Sequence, residues 1–506
     1  MAASRLNATV ALACAILCIG ACTVPVIVRS FSAADHIAEL NRQSPFLKAH
    51  LKNGELYVFS AWTIDDAAHR VTGKGERLDI NRKTLQSGDS LALSIDDVVL
   101  FETNVLQKSK RIQSLAFMTG VSVAATAACL SSPKACFGSC PTFYAGDALV
   151  AEGFSSSILP SLEKRDVDAL YGVQPRDGRL DLRMTNEAQE THVVRYVRLL
   201  AAPRLPGTRV FAAADGKFWR SSEIISPSTC HAENGDCTEV VSAIDGRERF
   251  TVADANDLGR RESIELRFRS GSRTQKGLVI AARQTLLSTF LLYQAYSYMG
   301  TTTVDRLAAL ERDGANAGRA AGALADLIGG IDVFVRDGAG KWTKAGEYHE
   351  TGPLATDVQL TPLPSCGQEF CDVRLEMTKG LWRIDAALLA RLDEKVEPVV
   401  VNAEQVRDHG RVIDPVALFR EPLVTLPGDE YTFTFKLPAG DSELFLDTRG
   451  YYLEWLRREW MAEENPVRAA MMFAAPRLAL RLLAPEFKRI EPGMEKQFWN
   501  SRYAIR

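Results

Sequence analysis

Charge of one sign is scarce in this chain of 506 residues: 60 Lys and Arg stand against 63 Asp and Glu, a formal net of −3 at pH 7. No long basic run gathers anywhere in it. That balance lacks the electrostatic footprint of a nucleic-acid binder, so no nucleic-acid partner is expected. Linear catalytic signatures are missing too. The segment from Gly153 to Ser157 lacks the closing glycine of a nucleophile elbow. His349-Glu350 is followed by Thr351-Gly352 rather than by a second histidine at zinc-ligand spacing. Gly338 to Trp342 holds a lysine without the spacing of a phosphate-binding loop. Asp254, Asn256, Gly259 and Glu265 follow calcium-loop spacing, but Leu258 stands where another oxygen ligand belongs. No metal and no cofactor are expected. Nor does the sequence repeat itself at a period that would make a solenoid or a propeller.

What is present begins at the N-terminus. Arg5 precedes an uncharged apolar stretch, Ala8 to Ala21, which ends in Ile19-Gly20-Ala21-Cys22. A basic start, a short apolar centre and small residues before the cut mark a secretory signal. The stretch is shorter than the roughly 20 residues that a spanning helix needs. The cysteine after the small pair makes it resemble a bacterial lipoprotein signal. That resemblance implies removal of residues 1–21 and acylation of Cys22, with palmitate-type chains that tie the protein to a membrane. Thr23 follows Cys22 where inner-membrane lipoproteins usually carry Asp, so the resemblance implies the periplasmic face of the outer membrane. A second uncharged segment, Ile112 to Pro133, is rich in Ala, Ser and Thr and is expected to be a buried helix rather than a span.

Ten cysteines occur. Cys14 and Cys18 leave with the signal, and Cys22 takes the lipid. In an exported chain the close pairs Cys230/Cys237 and Cys366/Cys371 are expected to be disulfides. Cys129, Cys136 and Cys140 leave one further bridge, with Cys136 and Cys140 as candidates, and one free thiol; their spacing fits no zinc site.

Hydrophobic patterning gives an α+β fold of several β-rich, sandwich-like modules. After the signal come a β-rich region over 22–110, an apolar helical segment over 111–135 and a β-rich domain over 136–275. A helical pair over 276–330, a further β-rich domain over 331–443 and a C-terminal helical segment over 444–506 follow. Asp215-Gly216 and Asp337-Gly338-Ala339-Gly340 sit between strand-like runs as hairpin turns. The runs Asp177 to Glu187 and Thr191 to Ala202 are expected to be adjacent strands. Leu278 to Met299 carries only Arg283 as a charge, which predicts a buried helix packed on Thr302 to Ile328. Pro466 and Pro476 should break the terminal helices. There Arg468, Arg477 and Arg481 lie among apolar residues, and the helix is expected to pack on the body with its arginines reaching outward rather than to lie on a membrane.

The best polar constellation is Asn186, Glu187, Glu190, Thr191 and His192. A carboxylate beside an imidazole can do acid–base work near neutrality. The segment nevertheless has the composition of a solvated loop between two strands. Asp166 and Asp168, expected in a turn, are the other paired carboxylates that a hydrolase could use. Trp219, Trp342 and Trp382 offer stacking surfaces for a carbohydrate.

Four blocks together resemble a group of large, uncharacterised bacterial lipoproteins: CFGSCPTFY, RMTNEAQETH, YHETGPLATDVQ and LFLDTRGYYLEW. Gly138 to Thr142 is the most specific part. The resemblance implies one exported β-rich architecture and brings no catalytic residue with it. The leading expectation is a lipid-anchored envelope scaffold or binding subunit with a protein partner. The alternatives are a periplasmic hydrolase of an envelope glycan, peptide or ester, and a carbohydrate or small-molecule carrier.

Overall fold

The computed structural model describes residues 23–53, 55–79, 84–110, 141–155, 157, 162–188, 190–271, 274–300, 328–349, 352–364, 366, 369–426, 428–454 and 464–499. The signal, Cys22, the apolar segment 111–135, and Cys129, Cys136 and Cys140 lie outside the described residues. The chain is β-rich, with several sheets and a few helices. It divides into two compact units, residues 1–132 with 294–312 and 456–466, and the remainder.

In the first unit short alternating runs pair into a six-stranded antiparallel sheet. Its order is Thr23–Ala33, Val98–Lys110, Phe46–Leu51, Leu56–Asp65, Arg70–Leu78 and Thr84–Ser94. The alternate side chains Leu47, Ala49 and Leu51 enter one core, with Phe59, Val71, Leu93 and Phe101. Gly73 and Gly75 lie where the neighbouring strand is bulged. A Cβ there would stand 2.1 Å from the Ala61 carbonyl oxygen or 2.2 Å from that of Val58, so no larger residue fits.

Among the described residues the second unit holds four sheets. The largest has ten strands. Along its main path lie Ala148–Glu152, Thr142–Ala145, Arg179–Thr185, Glu430–Lys436, Val399–Asp408, Glu190–Pro203, Ser442–Glu454 and Lys164–Ala169. It draws on residues 142–203 and 399–454, and the chain between them builds the other three sheets. One core on this sheet is filled from its own strands by Phe143, Leu182, Leu199, Phe433, Phe435 and Leu446. A second core joins Ala169, Leu200 and Phe445 to Phe211, Phe218, Val279 and Leu388 of the neighbouring sheets.

Several expectations change. The runs around Arg179–Thr185 and Glu190–Pro203 are strands, but two others, Glu430–Lys436 and Val399–Asp408, stand between them. Lys276–Gln284 is a strand and not the first half of a helix. Every residue of it is buried, so its apolar run reflects a strand covered on both faces. The helix is confined to Leu287–Met299, and its expected helical neighbour over 302–327 lies outside the described residues. The last segment starts as the strand Ser442–Glu454 and turns helical only at Pro466–Ala474 and Pro476–Trp499. Proline heads both helices, where its missing N–H costs nothing. Asp166 and Asp168 lie in the strand Lys164–Ala169 rather than in a turn. Cys230–Cys237 and Cys366–Cys371 are bonded. Among the described residues, no helix is long and apolar enough to cross a membrane.

Candidate functional site

Glu190 and His192 are two apart on one strand, so their side chains leave the same face of the sheet. His192 Nε2 and Glu190 Oε1 are 2.6 Å apart, and both side chains are completely buried. The Phe154 ring meets the imidazole edge-on. Asn186 closes the adjoining turn: its Nδ2 donates to the Glu190 carbonyl at 2.9 Å and to the Thr425 carbonyl at 3.3 Å. Glu187 points elsewhere and accepts from the Tyr144 hydroxyl at 2.8 Å and from Thr185 Oγ1 at 3.0 Å. Asn186, Glu190 and His192 thus form one internal network, and Glu187 belongs to another. The expected solvated loop is instead a buried strand entry: Phe154 stands edge-on to His192, and Tyr452 is the residue opposite His192 on the neighbouring strand. A carboxylate taken from water needs such a partner. The arrangement can hold a proton, and nothing described places it on a cavity wall.

A second carboxylate group forms around the strand Lys164–Ala169. Asp166 and Asp168 share a face. Burial, with the nearby Asp357 carboxylate adding to it, pushes the Asp166 carboxyl up from 3.8 to about 6. Asp357 accepts from the Ala169 N–H at 3.2 Å. Glu152, which composition did not flag, accepts from the Leu354 and Ala355 N–H groups at 2.8 and 2.9 Å and seats the loop that leads to Asp357. Among the described residues, no group of three or more His, Cys, Asp or Glu side chains is arranged to hold a metal ion.

The opposite face of the same strands carries a constellation that sequence reasoning missed. Fully buried Asp447 accepts from Arg165 Nε and Nη2 at 2.8 and 3.1 Å and from Arg198 Nε at 2.7 Å. The Tyr196 hydroxyl reaches it at 3.4 Å, and the Arg198 guanidinium lies 4.2 Å from the Tyr196 ring centre. Glu163, also largely buried, accepts from Arg195 at 2.9 Å and from Arg449 at 2.7 Å. Four guanidinium groups therefore share two carboxylates. Each arginine has five N–H donors in a fixed fork, and the bonds to Asp447 and Glu163 engage one or two of them. The rest form a partly exposed cationic strip. Its only local trace in the sequence is the pair Arg195 and Arg198 inside an apolar run.

Other features are smaller. A cleft of about 360 Å³ lies between the loops after Leu170 and Leu437, where Arg204 and Arg209 are tied to Asp441 and Glu443. Of the tryptophans expected to stack on sugar, Trp382 is buried, Trp342 lies under the Arg374 guanidinium, and Trp219 faces Lys395.

No protein-family model matches this chain, and no curated protein matches it. Solved structures with some likeness include a beta-porphyranase of glycoside hydrolase family 86 from the human gut bacterium Bacteroides plebeius, at 8% identity and TM-score 0.15. That match covers 46% of this chain and 36% of the other. The GH31 alpha-xylosidase of Xanthomonas citri, also at 8% identity and TM-score 0.15, is matched over 85% of this chain and 38% of its own. The secreted serine protease VesC of Vibrio cholerae, at 8% identity and TM-score 0.14, is matched over 73% and 76%. The chain thus spans little more than a third of the first two proteins. Likeness of this degree identifies neither fold nor activity.

Proposed function

We propose that this protein is a lipid-anchored bacterial envelope lipoprotein that acts as a binding scaffold. Acyl chains on Cys22 hold it at the periplasmic face of the outer membrane, and its sandwich-like sheets present a contact surface to a protein partner. The observation that carries the binding role is the strip of Arg165, Arg195, Arg198 and Arg449. Buried Asp447 and Glu163 hold these guanidinium groups in place, which lowers the entropy lost when they engage an acidic surface. Burial of Glu190 and His192 inside the sheet also favours a structural part for the best acid–base pair. Detergent co-purification from native membranes tests the proposal. A stoichiometric partner should be recovered with the wild-type protein and lost with Arg165→Glu/Arg449→Glu, and Cys22→Ser should make the protein removable from membranes by a high-salt wash. A lone, monodisperse protein in every case would sink the scaffold.

One observation favours a second role, an envelope hydrolase. Burial, with the Asp357 carboxylate nearby, pushes the Asp166 carboxyl up to about 6, and a carboxyl kept protonated in this way can serve as a general acid. Turnover of an envelope glycan, peptide or ester that disappears in both Asp166→Asn and Asp357→Asn, with the fold intact, would move the assignment there.

A further inference from the structure

The C-terminal helix Pro476–Trp499 packs Ala479, Leu480, Leu483, Ala484 and Phe487 inward, as its apolar spacing requires. Its outer side is not simply polar. Leu478 and Leu482, one turn apart, are 47% and 49% exposed, and Val467 on the preceding helix is 71% exposed. Isolated exposed leucines are ordinary. The distribution of charge around these two is not.

All three glutamates of the helix are used by the body. Glu486 accepts from Arg468 at 3.0 Å; buried Glu491 accepts from the Ala253 N–H at 2.8 Å and pairs with Lys488; Glu495 pairs with Arg383. Arg477, Arg481, Arg489 and Lys496 are exposed. Arg481 touches Asp257 at 3.1 Å, whereas among the described residues no carboxylate pairs with Arg477 or Arg489. Arg477 and Arg481 lie along one side of the leucines, and Arg489 and Lys496 continue the leucine stripe at two-turn intervals. The outward face is a short apolar ridge with an excess of cations: its partly exposed acid, Glu486, one turn after Leu482, is paired with Arg468, and Arg477, Arg489 and Lys496 stand beside it.

We infer that this face docks on an anionic phospholipid surface, with Leu478 and Leu482 entering the acyl boundary and the arginines meeting headgroup phosphates. A groove on a protein would read anchors over several turns. Here the stripe becomes Pro485 and then Arg489 after two leucines, which suits an interface rather than a groove. The inference rests on the envelope location proposed above and adds a second, reversible contact to the lipid anchor.

The test uses the mature chain carrying Cys22→Ser, so that no acyl group contributes, sedimented with vesicles of phosphatidylcholine alone or with about a third phosphatidylglycerol. Binding should require the anionic lipid and weaken in high salt. Arg477→Glu/Arg489→Glu should lower the partition coefficient by at least about tenfold, and Leu478→Ser/Leu482→Ser should lower it as well. Both pairs are surface changes, and an unchanged thermal transition confirms that the variants are folded. Equal binding to neutral vesicles, no binding at all, or binding indifferent to both pairs overturns the inference. So does a dimer that Leu478→Ser/Leu482→Ser dissociates, which would make the ridge a contact between copies. Cys22→Ser retained on cell membranes through a high-salt wash while vesicle binding fails would count against the anchor and the helix separately.

Discussion

Glu190 and His192 have exchanged water for one another, and that exchange sets a cost. Removing one partner leaves the other buried without its 2.6 Å contact. Glu190→Ala is therefore expected to lower stability by about 3 kcal/mol, seen as a reduced urea midpoint. A midpoint within error of wild type would show the pair to be energetically idle. Asp166 predicts a pH dependence. Its carboxyl is raised from 3.8 to about 6 in the folded chain, so the folded state binds the proton more tightly than the unfolded one. Its contribution is therefore fully present below about pH 4 and is lost as pH rises through about 6, by about 1–3 kcal/mol. Asp166→Asn should flatten this part of the profile in thermal melts between about pH 4 and 7, and parallel profiles would refute it. The residues of the candidate pair were visible in the sequence, but their setting was not. Local polarity around Asn186 to His192 resembles a wet loop, whereas the neighbours that His192 meets in the fold, Phe154 and Tyr452, come from other parts of the chain.

Elements were legible where chemistry is local. The turns at Asp215-Gly216 and Asp337 to Gly340 fall between paired strands, and the prolines at 466 and 476 open helices. Apolar runs misled, because a strand covered on both faces loses its alternation. Lys276–Gln284 reads as helix for that reason, whereas Ser442–Glu454, which carries Glu443, Asp447 and Arg449, reads as helix only through its aromatic continuation into the terminal segment. The short cysteine pairs were legible as well, and Cys230–Cys237 closes the hairpin that the strand Thr229–Ala232 makes with Gly235–Asp236. Cys230→Ser/Cys237→Ser should cost about 2–3 kcal/mol by the loop-closure argument, measured as a lower melting temperature under non-reducing conditions. An unchanged melt would mean that the surrounding strands alone fix the turn.

At the scale of the molecule, pairing across long stretches of chain was not legible at all. Glu190–Pro203 and Ser442–Glu454 form the longest contact in the main sheet, and no local pattern announces their register. The arginine strip exists only because of it: Arg198 and Asp447 come from these two strands, while Arg165 comes from a third. Sheets closed by distant segments fold slowly, so refolding from urea should take seconds or longer and be slowed by Ser442–Glu454 core changes such as Leu446→Ala. Submillisecond recovery of native tryptophan fluorescence would contradict this.

The same distance matters while the chain is being delivered. For a protein that emerges N-terminus first, residues 142–203 arrive with half of the ten-stranded sheet and must wait for 399–454 to complete it. During that interval the edges that will receive Ser442–Glu454 are open to any other strand. Output of the folded protein should therefore depend on holding factors that shield sheet edges, more than on the stability of the finished body.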